Sequence, residues 1–405
     1  MQRSLKDVIK NLFFSFFSYA MPLAVLQFVI QPIIAKKLGA ELNGQYLTLM
    51  SANYFLIGIT AAVLNTVRML QHEKYRQGNY VGDFNIFFSA YVIVILIVMP
   101  VLMICYTGCF DLLDILLYAV IGLLYLYHDY IFAQYWLELN YNKILINNAI
   151  IVVGYFVGLP LFLWTGKWQL IIITAYTFSS VYDYFNTTFL REPIRRTPLL
   201  KETGKKVLYY TGAQVLSSFI TYCDKLLLYP LLGGVLVSVY NTASMVGKLL
   251  LLLSSPLKSV MLGYLVKMET LQFKLRRKWL VLMIAGLGVV YFACLIVGFP
   301  LTSLLYPDWA SESQKYLVVT VLASLLALLA DLLNTVAIRF LEASFQIKLQ
   351  AINLGVYLAL CLSLLYFFSL WGFCIGVAAS ALVRVAILAV IIIKYYKKQN
   401  FSEKA

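Results

Sequence analysis

Eight ionisable side chains stand inside otherwise unbroken apolar stretches, where a lone charge costs about 2.5–3.5 kcal/mol on insertion scales. Lys225, Lys248 and Arg384 are cations, Asp129, Asp183, Asp224 and Asp331 are acids, and His128 adjoins the first acid. Cations so placed offset the desolvation of an anion, a diphosphate for example, as it enters a low-dielectric region. Acids and an imidazole instead suit the exchange of protons or cations. Plainer readings stand beside these. Lys248 can snorkel toward the inner surface, and water at the inner ends of their stretches can solvate Asp129, Asp183 and Asp331. Asp224 and Lys225 are adjacent, about 100° apart on a helix, so they do not neatly neutralise one another and a structural ion pair of one of them with another helix is expected.

The stretches that carry these groups are too apolar for a water-soluble core. Of 405 residues, 62% are hydrophobic and only 12% charged, a balance that lipid solvates and water does not. Runs such as YVIVILIVMP at 91–100 lack the alternation of barrel strands, so the expected fold is all-α. The spans read as 12–35, 45–67, 84–106, 112–133, 144–165, 168–190, 209–232, 235–255, 279–302, 314–338, 350–369 and 373–393. About twelve transmembrane helices are therefore expected, each of about 20 residues.

The 32 Lys and Arg cluster in alternate gaps between spans, 25 on one side, 4 on the other and 3 within spans. By the positive-inside rule the rich side is cytoplasmic, which puts both termini there. Basic loops beside anionic lipid account for the net charge of +14, so no nucleic-acid partner is expected. Arg3, Lys6 and Lys10 before the first apolar run mimic a signal sequence, but that run is long enough to remain as a span. The six cysteines lack metal-ligand spacing and read as small apolar fillers. Gly247-Lys248 lacks the upstream glycine of a phosphate loop, so ATP is not expected, nor is a metal or other cofactor.

An internal repeat organises the spans. LGAELNGQYLT from Leu38 matches LGGVLVSVYNT from Leu232, each just after the first span of a six-span half. LELNYNK from Leu137 echoes LEASFQIK from Leu341 at the equivalent later place. A six-span shift preserves orientation, so two pseudo-symmetric six-helix bundles about an axis along the membrane normal are expected, with a central cavity. Their bounds are 1–192 and 208–405, joined by the basic, Pro-containing linker 193–207. Gly39, Gly44, Gly233 and Gly234 supply the freedom for tight inter-helix turns.

AKKLGAELNGQY at 35–46, DKLLLYPLLGGVLVSVY at 224–240, Pro256 and SLWGFCIGVAAS at 369–380 resemble the lipid-linked oligosaccharide flippases. These belong to the polysaccharide transporter family of the multidrug/oligosaccharidyl-lipid/polysaccharide exporter superfamily. The resemblance implies a multi-pass protein of the bacterial cytoplasmic membrane. Its cargo would be polyprenyl-diphosphate-linked oligosaccharide repeat units for O-antigen, capsule or exopolysaccharide, moved by alternating access. A polysaccharide polymerase and glycosyltransferases would then be partners, with membrane lipids around it. On that reading Lys225, Lys248 and Arg384 line a cationic cavity for the headgroup, and all three fall in the second half. Asp224, Asp331, Asp183, Asp129 and His128 are coupling groups, while Tyr19, Tyr54 and Tyr222 have aromatic faces that can stack on sugar rings.

A cation-coupled multidrug or small-solute exporter of the same superfamily is the alternative, although the first three spans contain no acid. An integral-membrane polymerase or acyltransferase fits less well. The outer loops are short and neither histidine, His72 or His128, lies outside. No catalytic residue is expected.

Overall fold

The computed structural model describes residues 18, 20–108, 110–252, 254, 257, 258, 261, 277–340 and 343–402; Tyr19 and Pro256 lie outside the described residues. Among the described residues every regular element is helical. A π-turn at Leu26–Ile30 leads into α1 (Gln31–Ile59), then α2 (Ala61–Gln77), α3 (Asp83–Thr107), α4 (Leu112–Leu137), α5 (Tyr141–Thr165) and α6 (Gln169–Asn186). A short 3-10 turn at Phe189–Arg191 precedes α7 (Leu200–Leu252), and α8 (Arg277–Leu305), α9 (Ala310–Phe340) and α10 (Ala343–Ser402) complete the chain.

Among the described residues, eight helical runs are long and apolar enough to cross a membrane. Three of them, Ala20–Gln77, Leu200–Leu251 and Lys348–Tyr396, hold 58, 52 and 49 residues, about twice what one crossing requires. Each contains a break. Gly39 (φ 77°, ψ 171°) interrupts the first and Gly233 (φ 82°, ψ 172°) the second. These matching conformations are open to glycine and strained for L side chains, and they recur at the two Leu-Gly steps of the sequence repeat.

The third break falls at Ser369 (φ 52°, ψ −137°), three residues before the Gly372 of the Trp-Gly turn. Gly372 serves close packing instead, because a Cβ there would strike the Leu364 carbonyl. Ser369 is exposed and holds a positive φ that a side chain disfavours. Ser369→Gly is therefore expected to stabilise the protein by about 1 kcal/mol. Thermal unfolding in detergent checks this, and an unchanged midpoint would count against strain.

The chain divides into two compact units, Met1–Val237 and Ser238–Ala405. In the first, Val63, Leu64, Val67, Ile131 and Phe132 pack with Tyr130 and Tyr135. In the second, Val246, Leu317, Val321 and Leu325 form one cluster, and Ala330, Ala337, Leu349 and Leu388 another. Large apolar side chains stay exposed elsewhere: Ile93 and Ile97 on α3, and Val289, Phe292 and Ile296 on α8. Water would drive such faces to associate, whereas lipid accepts them.

The pair α5–α6 is held by two glycines spaced four apart, Gly154 and Gly158. A Cβ on Gly154 would collide with the backbone of Ala175, and one on Gly158 with that of Ile171. Small residues at this spacing let helix backbones approach where lipid offers no hydrophobic drive between helices. Gly158→Leu should separate the pair and abolish a monodisperse peak in size-exclusion chromatography; an undisturbed peak would contradict this packing.

Candidate functional site

In the second unit two charges within candidate spans meet a third that lies beyond one. Asp331 on α9 accepts Arg384 Nη2 from α10 at 3.1 Å and Lys258 Nζ at 3.2 Å. Ser254 Oγ donates to the same carboxylate at 3.3 Å. Two cations against one acid leave the cluster with one formal positive charge. The Arg384 side chain is 17% exposed and that of Asp331 27%, so a satisfied ion pair sits at a partly accessible place. Asp331 is bound by charge here, not only by interfacial water. Lys258, a loop cation by sequence, belongs with these groups. Lys248 lies apart on α7, its Nζ 5.4 Å over the Tyr240 ring, which in turn meets Phe373 edge-on.

Lys225 and Asp224 belong to the first unit. Asp224 is buried, and its Oδ1 accepts the Lys225 backbone N–H at 2.8 Å. That bond fixes the carboxylate against its own helix.

The remaining acids also lie in the first unit. Asp183 on α6 is fully buried. Tyr135 Oη from α4 donates to its Oδ1 at 2.7 Å, and Asn147 Nδ2 from α5 donates to the same oxygen. Ser179 Oγ donates to Asn147 Oδ1 at 2.5 Å and lies 3.0 Å from His128 Nδ1. The His128 ring nitrogen is 3.8 Å from Asp183. Three helices thus close a polar knot around Asp183, which differs from the solvated interfacial position expected for it. The reason is the local supply of donors: an aromatic hydroxyl and an amide replace water. His128 faces Asp183 rather than its sequence neighbour Asp129. Asp129 is less buried, and its backbone carbonyl accepts Asn65 Nδ2 at 2.5 Å.

Beside this knot the tyrosines form a chain. Tyr54 Oη is 3.4 Å from Tyr125 Oη, and the Tyr54 ring lies 6.0 Å from that of Tyr222. Tyr125 stacks at 4.0 Å on Tyr176, which His128 meets edge-on at 5.1 Å. Tyr54 and Tyr222, expected as ring-stacking faces, are therefore brought together, with their rings also serving one another.

Of the four glycines, Gly39 and Gly233 carry the breaks. Gly44 is helical and buried, and a Cβ on it would run into the Gly234 carbonyl. Gly44 and Gly234 thus enable a close approach, not a turn.

Within the first unit a second polar group holds the segment that follows α6. Arg68 pairs with Glu192, donates to Tyr130 Oη at 2.6 Å and stacks 3.3 Å over the Phe189 ring. Asn85 Nδ2 donates to the carbonyls of Phe189 and Glu192 at 2.9 and 2.8 Å. Burial pushes the Glu192 carboxyl above its ordinary range, opposed by the Arg68 charge. Arg68→Ala would leave Glu192 without its cation and Phe189 without its lid. Limited proteolysis between 193 and 199 should then run about tenfold faster, the equivalent of a lost charge-assisted bond; an unaltered rate would remove the anchoring role.

Sequence reading missed Lys258, Tyr135, Asn147, Ser179 and Arg68 as partners. The signal available was Ser179 and Asp183, four apart on one apolar helix and so on one face. Among the described residues no group of three His, Cys, Asp or Glu could hold a metal ion.

Broken apolar helices, lipid-compatible faces and charge clusters inside the spans define a multi-pass membrane protein. Its fold is one seen in solved transporters. The Vibrio cholerae MATE transporter VcmN in its bent form matches with a TM-score of 0.59 and 14% identity, over 98% of each chain. The lipid II flippase MurJ in an inward closed conformation matches at 0.70 and 12% identity, over 96% of this chain and 89% of that one. An inward-facing multidrug resistance MATE family transporter of the MOP superfamily matches at 0.64 and 14% identity, over 95% and 99%. At such identities the likeness is one of fold. No protein-family model and no curated relative matches the chain.

Proposed function

We propose that this protein moves polyprenyl-diphosphate-linked oligosaccharide repeat units across the bacterial cytoplasmic membrane by alternating access, for surface polysaccharide assembly. The observation that carries this reading is the Arg384–Asp331–Lys258 cluster, with two cations on a single carboxylate that lies in a candidate span. An anionic headgroup gains from that excess charge, whereas a cationic drug is repelled by it. The fold shared with the lipid II flippase MurJ supports a lipid-linked cargo. The polyprenyl tail stays in the bilayer while the headgroup passes, so no large soluble domain is needed.

On this reading the breaks at Gly39, Gly233 and Ser369 divide three runs into two crossings each, and α6 supplies a further one, giving twelve with both termini cytoplasmic. The bundles are 1–192 and 208–405 with the linker 193–207 between them. Lys225 and Lys248 join Arg384 in the headgroup path, and Tyr54 and Tyr222 contact sugar. Polymerase and glycosyltransferases act on either side.

A second reading has its own support. The buried Asp183–Asn147–Ser179–His128 knot is the kind of group that exchanges a cation or proton, and MATE transporters share the fold. Deletion separates the two. Undecaprenyl-linked oligosaccharide should accumulate on the inner leaflet with drug sensitivity unchanged. Heightened drug sensitivity without that accumulation would transfer the assignment to the exporter.

A further inference from the structure

The segment after the first break packs on the segment after the second, within the first unit. Gly234 N–H donates to Glu41 Oε1 at 3.1 Å, and Val235 N–H donates to Glu41 Oε2 at 3.0 Å. The carboxylate spans two of the unpaired amides that open a helix, where the backbone dipole favours an anion. Gly44 and Gly234 meet backbone to backbone one turn away: a Cβ on Gly44 would enter the Gly234 carbonyl, and one on Gly234 the Glu41 carbonyl. Below them Gln45 bonds the Tyr229 side chain, and Tyr106 meets Tyr229 edge-on at 6.0 Å.

These contacts join two copies of one repeat element. Gly39 and Gly233 hold nearly the same backbone angles, and the repeat aligns Glu41 with Val235. Valine has no acceptor, so the reciprocal cap cannot form. A symmetric crossing is thereby fastened from one side only, by one side chain. The charge distribution places this end outside the membrane, and Glu41 is exposed there.

We propose that Glu41 is the latch of an outer gate: its carboxylate caps the segment that starts at Gly234, and the Gly44–Gly234 contact supplies the flat surface on which the gate closes. Release of the cap frees the two segments to part at the hinges Gly39 and Gly233. A carboxylate that reaches across to backbone amides is strong enough to hold the closed form and weak enough to let go in each cycle. A buried ion pair at the same place would resist opening far more.

The test uses the full chain with its six cysteines replaced by alanine and Leu236→Cys as reporter, half-buried just past the capped amides, labelled on intact cells with a membrane-impermeant maleimide. Glu41→Ala should label about fivefold faster than the parent, the factor that a lost N-cap carries. Glu41→Asp, one methylene shorter, should fall between them. Gly44→Ala should also label faster although its carboxylate is intact, because the added methyl group props the contact open. Equal rates in the parent, Glu41→Ala and Gly44→Ala would overturn the gate. Fast labelling of Glu41→Ala accompanied by loss of the thermal transition in detergent would overturn it too, since Glu41 would then hold the fold rather than the gate. None of these outcomes depends on what the cargo is.

Discussion

Arg384→Gln is expected to slow transbilayer movement of a diphosphate-linked lipid by about ten- to hundredfold while leaving the protein folded. Asp331 retains Lys258 at 3.2 Å and Ser254 at 3.3 Å, so the acid is not stranded, but the cluster loses its excess positive charge. Losing one charge-assisted contact to a phosphate costs about 1.5–3 kcal/mol, which is the stated range of rate. The companion change, Asp331→Asn, separates transport from architecture. It leaves Arg384 and Lys258 together without their acid and should tighten binding of a soluble diphosphate headgroup by severalfold. A purely structural ion pair predicts something else: both substitutions would lower the melting temperature alike, and neither would move affinity in a charge-dependent direction. Headgroup affinity and thermal unfolding, measured on both variants, distinguish these outcomes.

Asp183→Leu is expected to destabilise the first unit by about 3 kcal/mol. Tyr135 Oη and Asn147 Nδ2 both lose their acceptor in a place from which water is excluded, and each stranded donor costs about 1–3 kcal/mol. Asp183→Asn keeps one acceptor oxygen of the same shape and should recover about half of the loss. Had water at the interface solvated Asp183, replacement by leucine would be nearly neutral. Thermal unfolding in one detergent, with the three proteins side by side, decides between these positions.

The membrane character and the paired breaks were legible because they depend on local properties. Apolar run length is set by bilayer thickness, and a Leu-Gly step shows where a positive φ is needed. Gly39 and Gly233 are such cases. What stayed hidden depends on which helices touch. Arg384 is conspicuous in its apolar stretch, but that it meets Asp331 and Lys258 follows only from packing. Asp183 has an ordinary position near the end of an apolar run, and only the arrival of Tyr135 and Asn147 from two other helices makes it a buried centre. Ser369 adopts a backbone that sequence would assign to the nearby glycine, because Gly372 is needed for close approach to the Leu364 carbonyl. The role of Glu41 was not legible, because its partners are backbone amides that carry no sequence signature.

The most direct test of the account is transport by the purified protein in sealed liposomes that contain a fluorescent polyprenyl-diphosphate oligosaccharide, with leaflet exposure read by a lectin outside. The account predicts protein-dependent appearance of the sugar at the outer face, lost in Arg384→Gln and insensitive to cationic drugs. Failure to move that lipid, together with efflux of a cationic drug that Arg384→Gln leaves intact, would contradict it.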